Sequence, residues 1–233
     1  RKPNWLKVKL QTTSNYTDMK SLMNEHSLNT VCEEARCPNI YECWDSRTAT
    51  VMILGDICTR SCGFCSVKTG KPLNVDGNEP RRVSDLVNNL KLRHVVITSV
   101  DRDDLRNDYG AQIWYETVNA IRHKSPNCTI EILTPDFKGF NPSLDLVFAS
   151  KPDIFSHNIE CVERVSKKVR RTSNWERSLE VLKYAISKSM LTKTGMMVGL
   201  GETDQEVFDT MELVHNIGVE IFNIGQYLQP TKN

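Results

Sequence analysis

The sequence predicts an α/β fold in which six β-strands alternate with helices. Two observations support this prediction: short apolar runs of the strand type recur along the chain, and amphipathic stretches of helical period separate them. Parallel β/α units of this kind are joined by right-handed crossovers, so the strands wind in one direction. An open doubly wound sheet and a barrel or partial barrel both fit the pattern.

The expected strands are short, apolar and rich in β-branched residues, as buried parallel strands are. They span residues 49–54, 94–100, 129–133, 153–158, 193–200 and 220–227. The clearest helix is 175–188, in which Leu179, Leu182 and Ile186 recur on one face. Further helices are expected at 17–27, 83–91, 109–123, 142–148 and 204–217, with one or two helical turns within 161–170.

The composition is that of an ordinary globular protein. Of 233 residues, 39% are hydrophobic and 25% are charged, which is enough for one domain with a full core. The formal net charge is +1, so nothing demands a nucleic acid or an acidic membrane as partner. No apolar run approaches the length that spans a bilayer, and no secretory signal peptide is visible.

Cysteine is the residue type that points to a function. The eight cysteines are Cys32, Cys37, Cys43, Cys58, Cys62, Cys65, Cys128 and Cys161. Disulfide scaffolds are usually shorter chains with cysteines spread along them, whereas six of these fall within residues 32–65. Such clusters favour metal and a reducing compartment: the cytoplasm, or a mitochondrial or plastid matrix if a transit peptide has been removed.

The second cluster, Cys58, Cys62 and Cys65, has the spacing C-x3-C-x2-C. A disulfide pair with a spare thiol and half of a zinc site are the competing interpretations. Closed zinc sites take four ligands, and six cysteines in two triplets do not divide into such sets. One iron–sulfur cluster per triplet explains the number of cysteines best. Three thiolates on a 4Fe–4S cluster leave one iron open, and an open metal position is where chemistry takes place.

Polar residues and glycine follow the expected strands at their C-terminal ends. In a barrel of parallel strands the active site lies at that edge. The segments in question are the loop that holds Cys58, 98–101, 134–136, 157–160, 199–202 and 226–227. Loop ends are usually polar, so this observation supports the site prediction without deciding it.

Specific motifs make the chain resemble the lipoyl synthase family of the radical S-adenosylmethionine (radical SAM) superfamily. The superfamily motif is C-x3-C-x-Φ-C, with Phe64 as the aromatic residue Φ, and the C-x4-C-x5-C triplet at residues 32–43 separates this family from most others. Further matching stretches are RKPNWL (1–6), VITSVDRDDL (96–105), TPDF (134–137), HNIE (157–160) and MVGLGET (197–203). The resemblance implies a partial TIM-type (β/α)6 barrel at residues 49–233 and an N-terminal cluster-binding extension at 1–48.

The resemblance also implies an activity, which is radical insertion of two sulfur atoms at C6 and C8 of a protein-bound octanoyl chain. Its cofactors are S-adenosylmethionine and two 4Fe–4S clusters. Cys58, Cys62 and Cys65 would hold the radical cluster, and Cys32, Cys37 and Cys43 the auxiliary cluster that donates sulfur. We expect contacts to S-adenosylmethionine from Phe64, Thr98, Ser99, Asp101, Glu131, Asn158, Glu160 and Arg171. The expected partners are an octanoylated lipoyl carrier protein or domain, an electron donor and iron–sulfur carrier proteins, with neither nucleic acid nor membrane.

Two departures from the family pattern stand out. The family's fourth auxiliary-cluster ligand is a serine in a C-terminal Arg-Ser-Ser-Tyr motif, and no such motif occurs before Asn233, so this ligand is unassigned. Cys161 stands where the family has a threonine, and it receives no ligand role. A radical sulfur-inserting enzyme like biotin synthase is a weaker alternative because that family lacks the first triplet. An iron–sulfur electron-transfer module would not need six β/α units.

Overall fold

The computed structural model describes residues 13–25, 29–30, 39–46 and 48–229. Cys32 and Cys37 therefore lie outside the described residues, as do the last two positions of the helix predicted at 17–27. That helix is observed as α1, Ser14–Glu25. The boundary predicted between an extension at 1–48 and a barrel at 49–233 stays a prediction.

The described strands form one large sheet and one small ribbon. The sheet has the order β1-β2-β5-β6-β7-β8-β9, and the ribbon pairs β3 with β4. β1 runs antiparallel to β2, whereas every pair from β2 to β9 is parallel. The strands are β1 (Asn29–Thr30), β2 (Thr48–Ile53), β3 (Ile57–Cys58), β4 (Lys68–Thr69), β5 (His94–Ser99), β6 (Thr129–Leu133), β7 (Ile154–Ser156), β8 (Thr192–Val198) and β9 (Ile221–Gln226).

Helices follow the parallel strands, as the amphipathic stretches of the sequence predicted. After α1 they are α2 (Ile40–Asp45), α3 (Glu79–Asn89), α4 (Ala111–Lys124), α5 (Asn141–Ala149), α6 (Glu163–Val169), α7 (Trp175–Ser187) and α8 (Asp204–Asn216). A short 3-10 turn at Phe137–Gly139 precedes α5. The start of α8 is fixed by a capping box, in which Thr203 and Glu206 satisfy each other's backbone N–H groups.

The strand order decides between the two architectures that the sequence allowed. The six parallel strands β2, β5, β6, β7, β8 and β9 neighbour one another in chain order. A doubly wound sheet reverses its order at a switch point, whereas a barrel does not. The order shown, in which β9 does not pair back to β2 within the described residues, is that of a partial (β/α)6 barrel. The predicted fold class is confirmed.

Apolar side chains under the helices hold the fold together. Val95 and Ile97 of β5 and Ile130 and Ile132 of β6 point to the same face of the sheet and are fully buried. Trp44 of α2 belongs to the same core, so α2 packs against the sheet. The opposite face of these strands is therefore free for polar residues. No helix in the described part of the chain has the length and apolar character needed to cross a membrane.

Candidate active site at the C-terminal edge of the sheet

Backbone hydrogen bonds fix the loop that carries the second cysteine triplet, both at its base and at the end of α6. β3 and β4 close its base, and the Gly70 N–H donates to the Cys58 carbonyl at 3.0 Å. Inside the loop, the Cys65 N–H donates to the Cys62 carbonyl at 3.1 Å. The Gly63 N–H donates to the Val169 carbonyl at 2.7 Å, which attaches the loop to the end of α6.

A pocket of about 230 Å³ opens between this loop and the ends of the strands. Its walls come from the segments that follow β2, β5, β6 and β7, which is the edge where the sequence predicted the site. The polar and aromatic residues that line it are Cys58, Arg60, Cys62, Phe64, Cys65, Thr69, Thr98, Ser99, Asp101, Thr134, Asp136, His157, Asn158, Glu160, Arg170 and Ser173.

The three cysteines Cys58, Cys62 and Cys65 are free thiols at this pocket. Burial, reinforced by the charge of Asp101, raises the pKa of Cys58 to about 11. Burial raises the pKa of Cys62 and of Cys65 in the same direction. Within the described residues, no three His, Cys, Asp or Glu side chains converge as a site for a single metal ion. A cubane cluster differs from such a site because its cysteines are distributed around a larger object.

Arg60 forms a buried ion cluster beside the thiols. Its guanidinium approaches Asp103 with two hydrogen bonds, of 2.9 and 2.8 Å, and Asp136 with one of 2.6 Å. Asp101 lies 3.2 Å from the third nitrogen, Nη1. Lys138 contacts Asp103 at 2.9 Å, and Arg177 contacts Asp136 at 3.3 Å. Three carboxylates are thus matched by three cations.

The carboxylates of this cluster differ in pKa. Burial, together with the charges of Asp136 and Asp103, raises the pKa of Asp101 to about 6 despite the attraction of Arg60. Burial would also raise the pKa of Asp136, but the hydrogen bond and charge of Arg60 hold the pKa of that carboxyl well below its usual range. Asp101 also lies 3.8 Å from the Cys58 sulfur.

Three buried polar atoms of pocket-lining residues have no partner in the described part of the chain. They are His157 Nε2, Thr134 Oγ1 and Arg170 Nε. His157 Nδ1 lies 2.8 Å from the Thr134 carbonyl, which can only accept, so Nδ1 carries the proton and Nε2 is an acceptor. Burial lowers the pKa of His157 to about 4, so the ring is neutral at pH 7. Buried polar groups are nearly always paired, so His157 Nε2 and Thr134 Oγ1 are suited to bind a polar molecule in the pocket.

The segment after β7 brings two further polar side chains to the pocket. Glu160 has a φ of 68°, a left-handed conformation that is costly for this residue type, and its backbone pairs with Met196 of β8. Asn158 hydrogen-bonds the Glu160 carboxylate, whose pKa is raised by burial. A Cβ on Gly195 would lie 2.9 Å from Asn158 Oδ1, so glycine leaves the room that Asn158 needs.

The structure brings together most of the residues that the sequence assigned to the site. Beside the three cysteines, the pocket is lined by Phe64, Thr98, Ser99, Asp101, Asn158 and Glu160. Arg171 is exposed and does not line it, whereas its neighbour Arg170 is buried and does. Arg60, Asp136 and His157 also line it without having been assigned. His157 has only one of its ring nitrogens paired among the described residues.

Glu131 lies below the pocket. It is two residues from Leu133, which lines the pocket, so both point to the same face of β6. Its carboxylate accepts hydrogen bonds from Ser156 at 2.8 Å and from Lys193 at 2.9 and 3.0 Å. Burial would raise the pKa of Glu131, but the hydrogen bonds from His94, Lys193 and Ser156 lower it to about 2.

The sequence matches two models of known protein families. Residues 52–214 match the radical SAM superfamily, and residues 1–37 match the N-terminal domain of lipoyl synthase of that family. The chain is 51% identical over 232 residues to a lipoyl synthase of Flavobacterium johnsoniae, covering 99% of this chain and 80% of the relative. The chain belongs to the lipoyl synthase family.

Further relatives agree with the lipoyl synthase assignment. Identity is 53% over 235 residues to a lipoyl synthase of Shouchella clausii, covering 100% of this chain and 76% of that protein. Identity is 50% over 232 residues to a mitochondrial lipoyl synthase of Nematostella vectensis, covering 99% of this chain and 79% of that protein. The expected family, enzyme class and activity are confirmed.

Two solved structures share the fold at low sequence identity. Methylornithine synthase matches with a TM-score of 0.61 and 12% identity, covering 93% of this chain and 65% of that one. SuiB of Streptococcus suis, bound to S-adenosylmethionine, matches with a TM-score of 0.63 and 12% identity, covering 93% of this chain and 52% of that one. These likenesses support the fold alone.

The cofactors of the lipoyl synthase family are S-adenosylmethionine and 4Fe–4S clusters, and the pocket fits them. Three thiols on one loop are the donor set that a cluster with one open iron requires. The unpaired Nε2 of His157 and Oγ1 of Thr134 are the orphaned polar atoms that a polar ligand would satisfy. The auxiliary triplet is described only at Cys43, which is half-buried in α2 and packs against the main core.

Proposed function

We propose that the pocket at the C-terminal edge is the site where this lipoyl synthase family member initiates sulfur insertion at C6 and C8 of a protein-bound octanoyl chain. The observation that carries the proposal is the position of Cys58, Cys62 and Cys65 as three free thiols against the pocket. When bound there, a reduced 4Fe–4S cluster and S-adenosylmethionine together supply a radical that abstracts hydrogen from an unactivated carbon.

The chain's own residues would bind and orient the cofactor. Thr98 and Ser99 donate their hydroxyl protons to backbone carbonyls at 2.9 Å each, so their oxygens are left to accept hydrogen bonds from a ligand. His157 Nε2 offers another acceptor. Phe64 presents an aromatic surface at the same pocket. These groups suit the amino group, the ribose hydroxyls and the adenine of S-adenosylmethionine.

Arg170 is the cation that we assign to the cofactor carboxylate, in preference to the sequence-predicted Arg171. Arg170 is 7% exposed and donates from Nη1 to the Ile159 carbonyl at 3.0 Å. Its Nε is buried without a partner among the described residues. A guanidinium with unused donors in a pocket is suited to a carboxylate. Asp101, Asn158 and Glu160 complete the polar wall around it.

The auxiliary cluster that donates sulfur is assigned to Cys32, Cys37 and Cys43. Support comes from the C-x4-C-x5-C spacing and from the match of residues 1–37 to the N-terminal domain of lipoyl synthase. Cys43 and Cys58 both pack against the main core cluster. No fourth ligand is assigned.

The proposed partners are an octanoylated carrier protein or domain, an electron donor and proteins that deliver iron–sulfur clusters. Lipoyl synthases act on octanoylated carriers in general, and this chain needs an external source of electrons and of replacement cluster. A net charge of +1 gives no reason to add a nucleic acid or a membrane. We place the reaction in a reducing compartment, the cytoplasm or an organelle matrix, which is where unpaired thiols persist.

The test is an anaerobic assay with an octanoylated carrier peptide. The reconstituted protein should contain about eight irons per chain, as two four-iron clusters require. Mass spectrometry should show peptide with one and then two added sulfur atoms. Cleavage of S-adenosylmethionine without thiolated peptide would favour another radical SAM enzyme, and no cleavage under strong reductant would favour an electron carrier. A Cys32→Ala variant that still makes the dithiolated peptide would refute the auxiliary donor.

A further inference from the structure

Arg60 lies between two of the proposed cluster ligands, Cys58 and Cys62, yet its side chain points inward and is 3% exposed. Burial of a guanidinium is costly unless its charge and all its donors are matched. The three-thiol site needs no arginine between its ligands. The free-energy cost of burying Arg60 therefore indicates that this side chain has a role apart from the cysteines.

The guanidinium connects the cysteine loop to separate parts of the chain. Nε and Nη2 form a fork on the two oxygens of Asp103, which follows β5. Nη2 also donates to Asp136, which follows β6, and Nη1 donates to Ser173 at 3.4 Å ahead of α7. Four segments that are distant in sequence meet at one side chain.

Within the described residues, hydrogen bonds of the loop outside the Arg60 side chain also join it to the segment after β5. Thr59 donates from its N–H and its hydroxyl to the Asp101 carbonyl at 3.0 and 2.9 Å, and the Asp103 N–H donates to Thr59 Oγ1 at 3.1 Å. These bonds join the loop to the segment after β5. The connection to Asp136 passes through the Arg60 side chain.

We infer that Arg60 is a positioning residue that locks the Cys58–Cys62 segment against the ends of β5 and β6. The loop and the pocket wall at Asp101, Thr134 and Asp136 are thereby held in one fixed arrangement. The inference rests on the proposed function, because that wall is the proposed site of S-adenosylmethionine. A lysine keeps the charge but cannot bond Asp103 and Asp136 with the same planar fork.

The test compares Arg60→Lys with the parent chain, both anaerobically reconstituted with their full cluster content. Iron content and melting temperature report assembly and folding. The change in the electron paramagnetic resonance spectrum of the reduced protein on adding S-adenosylmethionine reports how the cofactor meets the open iron. We expect near-parent iron content, a weakened spectral change, and a KM for S-adenosylmethionine raised roughly tenfold to a hundredfold.

Arg122→Lys is the matched control. Arg122 donates to Asp153 at 2.7 Å and to the Cys128 carbonyl at 3.2 Å, at the opposite edge of the sheet. The same chemical change there should leave the spectral response and the KM unchanged. Asp103→Asn is the second variant, used if Arg60→Lys does not assemble, because it removes one arm of the fork and leaves Asp136 bound. Its effect should have the same direction and be smaller.

The outcomes separate this inference from the proposal on which it rests. A parent protein that shows no spectral response to S-adenosylmethionine refutes the proposed site. A parent that responds, with Arg60→Lys and Asp103→Asn both matching it in KM and spectrum, refutes the positioning role. Equal losses in Arg122→Lys and Arg60→Lys would likewise refute it, because the effect would then follow from any lost arginine fork.

Discussion

The barrel holds two buried charged clusters, one around Glu131 within the sheet and one around Arg60 at the C-terminal edge, and they differ in whether unpaired polar atoms lie beside them. Around Glu131, one carboxylate receives three hydrogen bonds from Ser156 and Lys193, and His94 lies 3.7 Å away. Around Arg60, three carboxylates are matched by Arg60, Lys138 and Arg177. The pocket beside them contains buried atoms of His157, Thr134 and Arg170 that have no partner among the described residues.

The difference between the Glu131 and Arg60 clusters indicates which part of the fold has unpaired groups available to bind a ligand. The Glu131 cluster is closed, with its charge matched inside the sheet, and it contributes stability. The Arg60 cluster borders the open region, a pocket in which acceptors and the Arg170 guanidinium still have capacity for a ligand, and that pocket is the proposed site of the chemistry. Of the seven unpaired buried polar atoms among the described residues, three belong to the pocket and none to the Glu131 cluster, which separates the two regions.

The largest expected effect comes from removing one thiol of the open region. Cys62→Ala should reduce iron from about eight to about four per chain and abolish cleavage of S-adenosylmethionine, because the open-iron cluster loses a ligand. Cys161→Ala is the matched control, a fully buried cysteine near the same edge that does not line the pocket. Iron analysis and a cleavage assay check both. Retained cleavage in Cys62→Ala would contradict the assignment.

The next effect tests the closed region. Glu131→Gln should lower the free energy of unfolding by about 3 kcal/mol, because a buried carboxylate that is paired with Lys193 is lost. KM for S-adenosylmethionine should not change. Denaturant unfolding and steady-state kinetics provide the measurement. Glu163→Gln, which breaks the exposed pair with Lys167, should cost less than about 1 kcal/mol. A raised KM in Glu131→Gln would instead support the sequence-based expectation that Glu131 binds the cofactor.

A pH experiment addresses the neutral histidine of the open region. The folded-state pKa of His157 is about 4, below its ordinary value of 6.5, so the unfolded chain binds more protons between these values. Stability that depends on His157 is therefore present above pH 6.5 and declines as pH falls toward 4, by about 2 kcal/mol between pH 7 and 5. His157→Asn keeps a donor for the Thr134 carbonyl and should remove this part of the decline. Identical unfolding profiles for parent and variant would refute the neutral ring.

The smallest effect tests the fit of the pocket wall. Gly195→Ala should raise KM for S-adenosylmethionine severalfold, because the added Cβ would lie 2.9 Å from Asn158 Oδ1. Gly225→Ala on the neighbouring strand is the control, since nothing lies within 4 Å of its added Cβ. Steady-state kinetics on both variants decides. Equal KM values for the two variants would show that the space beside Gly195 is not needed to position Asn158 for the cofactor.

Local sequence patterns were sufficient for the fold. Each parallel strand was expected within a few residues of its place because apolar runs and amphipathic stretches report burial directly. The strand predicted at 153–158 is shorter, Ile154–Ser156, because the chain then turns toward the pocket and rejoins β8 only at Glu160. The pairing of β3 with β4 was missed, since two-residue strands leave no periodic signal.

The site could be predicted only in part. The cysteine spacing and the polar strand ends predicted the loop, with its Phe64, and five further lining residues, because both are local features. The choice between Arg170 and Arg171 depends on how α6 ends: Arg170 leaves the helical conformation with φ −122° and ψ 55°. The partners of Arg60 lie 43 and 76 positions away, a relation that only the folded chain reveals.

Cys58, Cys62 and Cys65 are proposed to hold the cluster beside a pocket for S-adenosylmethionine. A crystal structure of the anaerobically reconstituted protein with S-adenosylmethionine added tests this arrangement directly. We expect a cluster on these three sulfurs and S-adenosylmethionine in the pocket, in contact with Arg170 and His157. A cluster on other ligands, or S-adenosylmethionine bound away from Asn158 and Glu160, would contradict it.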